Sequence, residues 1–247
     1  MELEKYVSEI LTRGMHTASF PADLDIPKSL IDYCWALYQD GEKVGLELGV
    51  NLYLNQGKLD IGTNRFQGTP SGITIASDAT NDNFGDLHCH PSNSIGHVDG
   101  YAAHSPEDVL AIRNNVQKPL FIRFVGSGTH VYAVTYRSGY SQRIDKEISN
   151  VGLRLNDRAT AFFDQKCPVD EEARNEAMTK MSSSKQQSKY IVLRRRETPG
   201  LGKEMERLSI DGCKEIARKG DFGFYAGDQG YGLSVWAYGY LRLNRLQ

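Results

Sequence analysis

The spacing of apolar positions along the chain sets out alternating helices and strands. Between residues 26 and 41, Leu30, Ile31, Cys34, Leu37 and Tyr38 recur at the interval of one helix face, with Pro27 near the start and Asp40-Gly41 as the stop. From 44 to 54 small and apolar residues alternate, Asn55-Gln56-Gly57 turns the chain, and 58 to 63 returns as the second strand of a hairpin. Residues 69 to 76 and 84 to 90 read as further strands around a polar loop, and 91 to 104, rich in Gly, Ser and Asn, predicts no regular element. Ser105 opens a helix with agreeing signals: a serine at the N-cap, Pro106 at N1, then Glu107 and Asp108, followed by Val109, Ile112 and Val116 on one face. Lys118-Pro119 closes it, and 120–125 and 130–136 form two strands about Gly126-Ser127-Gly128.

Beyond residue 139 the pattern weakens. Polar and charged residues dominate 141–157, 169–183 has a helical pattern with a solvated face, and 182–188 has the composition of a connection. Residues 202–219 read as an amphipathic helix through Met205, Leu208, Ile210 and Ile216, and 222–226 and 231–243 as two aromatic-rich strands. The expectation is an α+β protein with a core over residues 1–145 and an α+β extension over 146–247. The sequence leaves open whether the extension stands apart or completes the first sheet. Tyr225, Tyr231, Trp236, Tyr238 and Tyr240 read as sheet core and cross-strand pairs, and Arg194-Arg195-Arg196 as a solvated face, or else a docking patch for an acidic partner.

Composition narrows the function classes. With 247 residues, 40% of them hydrophobic, the chain can bury a sizeable core, and a formal charge of −2 supplies no basic surplus for a nucleic acid or an anionic membrane. The opening residues lack a secretory pattern and no apolar run reaches the length of a membrane span, so a soluble, cytoplasmic protein is expected. Cys34, Cys89, Cys167 and Cys213 are widely spaced, which suits small buried thiols better than a disulfide framework or a zinc ribbon. No nucleotide fingerprint or P-loop is present.

The chemistry concentrates in one stretch. Four of the six histidines, His88, His90, His97 and His104, lie between residues 88 and 104, flanked by Asp86, Asp99, Glu107 and Asp108. On a strand, His88 and His90 at i and i+2 point to one face, and a carboxylate from the following helix start would complete a three-ligand metal site with room for water. Glu47, a carboxylate within the first hairpin strand, is either a base for that site or a water-facing edge residue.

The order Glu47, His88-x-His90-Pro91, Ser105-x-x-Asp108 resembles the JAMM signature of JAB/MPN-domain metallopeptidases, including the prokaryotic JAB and RadC-like branches, over about residues 26–138. The resemblance implies a cytidine-deaminase-like mixed sheet flanked by helices. It also implies a zinc ion on His88, His90 and Asp108, Glu47 as general acid and base, and Ser105 as hydrogen-bond donor to a developing oxyanion. The implied reaction is hydrolysis of a peptide or isopeptide bond in a protein or peptide substrate, such as a ubiquitin-like conjugate or precursor. The interval from His90 to Asp108 is longer than the family's by about seven residues, room for a flap, which a loop tolerates at small entropic cost. His97, Asp99 and His104 in that insertion are additional ligands, flap residues, or simply exposed loop side chains.

Two other readings share parts of this pattern. A catalytically silent MPN-like scaffold or recognition module would keep the fold without turnover. The wording Asp86-Leu87-His88-Cys89-His90 also resembles PHP-type phosphoesterases and amidohydrolases, but those need further downstream histidines and a barrel of about 250 residues. Only 157 residues follow His90, with His130 the one histidine after His104.

Overall fold

The computed structural model describes residues 1–13, 20–69, 72–76, 78, 80, 82–91, 103–115, 118–128, 130–136, 142–166, 201–219, 222–228 and 239–246. The element order is α1 (Leu3–Arg13), β1 (Asp23–Pro27), α2 (Lys28–Val44), β2 (Leu48–Asn55), β3 (Lys58–Ile61), β4 (Phe66–Gln67) and β5 (Asn83–Cys89). Then follow α3 (Pro106–Ala111), which runs into a 3-10 turn at Ile112–Asn115, β6 (Ile122–Ser127), β7 (His130–Tyr136), α4 (Gln142–Lys166), α5 (Leu201–Lys219), β8 (Phe222–Asp228) and β9 (Tyr240–Arg245).

The described strands form one mixed sheet in the order β1, β9, β8, β7, β6, β5, β2, β3, with β4 also paired to β2. Strands β5 and β6 run parallel and every other pair is antiparallel. The fold is therefore α+β, a mixed sheet with helices on both sides. Every residue of β5 is buried, as a central strand covered on both faces requires.

Alternation along β5 divides the chemistry. Leu87 and Cys89 face α2, whose Gly41 lies against the Cys89 sulfur and whose Cys34 sulfur lies against Gly126 of β6. Asp86 and His88 face the opposite side, with their register partners Gly49 and Asn51 of β2 and Arg123 and Val125 of β6. That side is roofed by α3, α4 and α5: Gly152 of α4 abuts Pro106 of α3, Gly212 of α5 abuts Leu155 of α4, and α5 packs on β8.

Several local expectations change. Helix α2 starts two residues later than periodicity suggests, because Ile26 and Pro27 belong to β1, and it passes through Asp40-Gly41 to end at Val44. Gly45 closes it in the left-handed conformation at φ 67°, its N–H donating to the Gly41 carbonyl. The stop is thus four residues beyond the first glycine, which serves a close approach to β5. In place of the expected strand over 69–76, the described residues there make a bridge between Thr69 and Gly72 and an irregular run whose Ile73 and Ile75 lie over the bare face of Gly49, while the two-residue β4 precedes them. The long helix α4 was not legible, since its buried hydrophobic stripe among the described side chains is Ile148, Val151 and Leu155 between charged neighbours. Of the strand expected over 231–243, β9 is described from Tyr240. Tyr231, Trp236 and Tyr238 lie outside the described residues, as do Arg194 to Arg196 and the region 169–188. Tyr225 is buried in the sheet as expected.

Helix α1, also unanticipated, touches both ends of the sheet. Glu2 pairs with Asp25 of β1, and the Glu4 carboxylate accepts a hydrogen bond from the Leu59 N–H of β3 at 2.9 Å. Leu3, Tyr6, Val7 and Ile10 bury its other face in the common core. No helix among the described residues is long and apolar enough to cross a membrane.

Gly41 gives a direct test of this packing. A Cβ there would stand 2.6 Å from the Cys89 sulfur and 3.0 Å from the Leu46 carbonyl oxygen. In an open helix Gly→Ala stabilises by about 1 kcal/mol. Gly41→Ala is expected instead to destabilise by about 1–3 kcal/mol through overpacking, measured by urea unfolding; a gain in stability would show that α2 and β5 are not in this contact.

Candidate metal centre

Three elements meet at the end of β5. His88 is in the strand, and His90 lies just past its end, its N–H bonded to the Gly126 carbonyl of the parallel neighbour at 2.9 Å. Helix α3 returns the chain over this point with Ser105 at its N-cap. The Ser105 hydroxyl accepts from the Asp108 N–H at 3.1 Å, and the Asp108 carboxylate accepts from the Ser105 N–H at 2.9 Å, a reciprocal capping box. The same hydroxyl donates to Asp108 Oδ2 at 3.0 Å. Glu47 sits one residue before β2, not inside it, its N–H and C=O paired to Thr69 and Gly68. That short link between α2 and β2 carries its side chain onto the face that holds the histidines.

The donor atoms converge. His88 Nε2 and His90 Nε2 are 3.1 Å apart, Asp108 Oδ1 is 3.1 Å from the first, and Asp108 Oδ2 is 3.4 Å from the second. Glu47 Oε1 is 4.0 Å from His90 Nε2. All four side chains are buried. Glu47, His88 and His90 each offer a ligand atom within 4.8 Å of the others, a group that could hold a metal ion. No protein-family model, curated protein or solved structure matches this chain. The donor set itself therefore has to say what fits.

Four ligands at about 2.0–2.1 Å around a tetrahedral ion stand about 3.3–3.4 Å from one another. The two imidazole nitrogens and the Asp108 carboxylate, which sets Oδ1 against His88 and Oδ2 against His90, are separated by nearly those distances, and Glu47 Oε1 is 4.0 Å from His90 Nε2. Two neutral nitrogen donors and a carboxylate suit zinc or a similar borderline cation, which His88 and His90 would hold with Asp108 or Glu47. Two imidazole Nε2 atoms at 3.1 Å otherwise repel or must share a proton, so a cation between them resolves the contact.

Charge around the cluster is arranged by Arg123 of β6, which the sequence reading missed. Its guanidinium holds Asp86 by two hydrogen bonds of 3.0 and 2.7 Å, donates to the Asp108 backbone carbonyl at 3.2 Å, and lies 3.7 Å from Asp108 Oδ1. Burial works against this cation, but Asp86 and Asp108 outweigh it and keep the group firmly charged. Burial likewise raises the Asp108 carboxyl on its own, and His88 and His90 more than reverse that, holding it well below the usual carboxylate range. Glu47 goes the other way: burial raises its carboxyl despite the opposing pull of His90 and His88. The two carboxylates beside the histidines are thereby separated, one held ionised and one inclined to take a proton. The signal for Arg123 was present in the sequence as a lone cation inside the apolar run from Leu120 to Val125.

Ser105 and Asp108 thus join Glu47, His88 and His90. His104 is also brought in: it is buried rather than exposed on a loop. His97 and Asp99, with most of the proposed flap, lie outside the described residues. Cys89 and Cys213 are buried thiols whose protons burial holds tightly, Cys89 up to about 12, so neither is a ready ligand.

Arg123→Met leaves Asp86 buried without its counter-ion and is expected to cost about 3–5 kcal/mol, with most of that recovered in Asp86→Leu/Arg123→Met. Urea unfolding of the two variants checks it, and a harmless single change would deny the network its structural role. The Glu47 shift gives a pH test on chelator-treated protein. A raised folded-state pKa means that stability is full below the ordinary glutamate range and is lost as pH rises through the raised value. Glu47→Gln should therefore match wild type in acid and unfold at higher temperature than wild type near neutrality. A pH-independent difference in melting temperature would contradict the shift.

Proposed function

We propose that this chain is a zinc-dependent hydrolase of amide bonds, of the JAMM metallopeptidase type. The observation that carries the reading is the convergence of His88 Nε2, His90 Nε2 and the Asp108 carboxylate at 3.1–3.4 Å, with a second, more basic carboxylate, Glu47, 4.0 Å from His90 Nε2. The resemblance of the motif order adds the rest: cleavage of a peptide or isopeptide bond, with a ubiquitin-like conjugate or precursor as the substrate class.

Zinc bound there supplies Lewis acidity, polarising a carbonyl and acidifying water. His88 and His90 present their Nε2 atoms to it, and Asp108 adds a negative charge whose direction is fixed by the capping box and Arg123. Glu47 takes a proton from the attacking water and returns it to the leaving amine, a task helped by a pKa moved toward neutrality. The motif order gives the Ser105 hydroxyl the role of donor to charge building on the scissile oxygen, for which its proton would turn from Asp108 Oδ2, where it is held at 3.0 Å. The antiparallel β2 beside β5 does not suit the all-parallel barrel that a PHP or amidohydrolase reading requires. A silent scaffold remains the outcome if the wild type takes up no metal.

The test is zinc content and turnover together, using ubiquitin-like fusions and a peptide library as substrates. Wild type should hold about one zinc per chain, His88→Ala should lose it, and Glu47→Gln should keep it while turnover falls by about 10²–10⁴. Cleavage that survives chelation removes the metal mechanism, and normal turnover by Glu47→Gln removes Glu47 as the base.

A further inference from the structure

His88 offers its Nε2 to the cluster, which leaves its Nδ1 for another partner. A metal-binding histidine almost always donates its second ring N–H to an acceptor that fixes the tautomer and the ring angle, and loss of that acceptor lowers metal affinity. Among the described residues His88 Nδ1 has no hydrogen-bond partner, although the side chain is wholly buried. The His104 ring adjoins that of His88, with centroids 6.5 Å apart in an edge-on arrangement at 60°.

His104 is itself 2% exposed, and neither of its ring nitrogens has a partner among the described residues. Two adjoining buried rings therefore carry three nitrogens with no hydrogen-bond partner among the described residues. Each such group costs about 1–3 kcal/mol if left so, and three together would be a heavy burden for a domain of ordinary stability. His104 is also held in place rather than left to drift. Its backbone carbonyl accepts from the Cys213 thiol of α5 at 3.7 Å, the adjacent Ala103 N–H donates to Ser209 of α5 at 3.2 Å, and its ring packs edge-on to Phe224 of β8 at 6.3 Å.

We propose that His104 is a positioning residue for the metal centre: it accepts, through one buried water, the hydrogen bond of His88 Nδ1–H. The ring separation is too great for a direct bond and suits one bridging molecule. Such a water needs two to four polar partners, which these nitrogens supply. The neutral imidazole of His104 then keeps His88 in the tautomer that frees Nε2. Because α5 and β8 hold His104, the last fifty residues of the chain take part in orienting a ligand carried by β5. The inference rests on the metal reading given above.

Three proteins test it: wild type, His104→Phe, which keeps a ring of similar size without nitrogens, and His104→Gln, which keeps a hydrogen-bonding group. Zinc affinity is measured by competition with a chromophoric chelator. The His88 ring proton is followed in nitrogen-15-resolved spectra of the zinc-loaded protein, and thermal unfolding of the chelated proteins controls for folding. His104→Phe is expected to bind zinc about 10–100-fold more weakly and to show a fast-exchanging His88 Nδ1 proton, while its metal-free form melts no lower than wild type. His104→Gln should recover part of the affinity. Unchanged affinity and proton exchange in His104→Phe overturn the proposal and leave the metal site standing, whereas a wild type that binds no zinc overturns both. If His104→Phe does not fold, the wild-type spectrum decides: a His88 Nδ1 proton exchanging as fast as that of an exposed imidazole overturns the assignment.

Discussion

The parallel pairing of β5 with β6 is the constraint on which the rest of this molecule depends. Parallel neighbours cannot be joined by a tight turn, so the chain must leave the end of β5, cross over the sheet and come back to the start of β6. The crossing segment contains α3, and its N-terminus is delivered to the end of β5, where His88 and His90 sit. Arg123, opposite Asp86 in the parallel register, then ties strand, neighbour and returning helix together by bonding the Asp86 carboxylate and the Asp108 backbone. A charged residue in each of two adjacent central strands looks costly in isolation. Placed as partners, they fix the helix that carries the third donor.

What the sequence made legible was local and periodic. The histidine pair two apart, the capping box of Ser105 and Asp108, the β6–β7 pair and the amphipathic stripe of α5 each need only a few neighbouring residues to be read, and the structure contains them, with His90 one residue beyond the end of its strand. What stayed hidden depends on distant chain. Gly41 resembles a helix stop until the sulfur of Cys89 is seen against it. His104 sits among Gly, Ser and Asn in sequence, and becomes a buried side chain only because α5, more than a hundred residues later, supplies Ser209 and Cys213 beneath it. Helix α4 escaped notice because so few of its positions are apolar, its packing being narrow and shared with α3 and α5.

The environment of the two carboxylates shows how burial alone does not decide charge. Both Glu47 and Asp108 are removed from water, yet Asp108 lies within 3.1–3.4 Å of two imidazoles and 3.7 Å from a guanidinium, while Glu47 stands 4.0 Å from the His90 imidazole. Closer contact with the imidazoles and the guanidinium turns the same functional group from one inclined to take a proton into one held ionised. The sequence placed both residues in the same neighbourhood but could not assign this difference, because it arises from the angle at which the α2–β2 link and α3 approach the face of the sheet.

Helix α1 has a consequence for how the sheet fails. Through Glu2 on β1 and Glu4 on β3 it spans the first and the last strand of the curled sheet. Unpaired strand edges are where foreign chains add on and where sheets begin to aggregate. Here both are guarded by the same short helix, so detachment of one peripheral element uncovers two adhesive borders in a single event. Self-association and unfolding are thereby linked at the rim of the sheet, far from the buried carboxylates and imidazoles around β5.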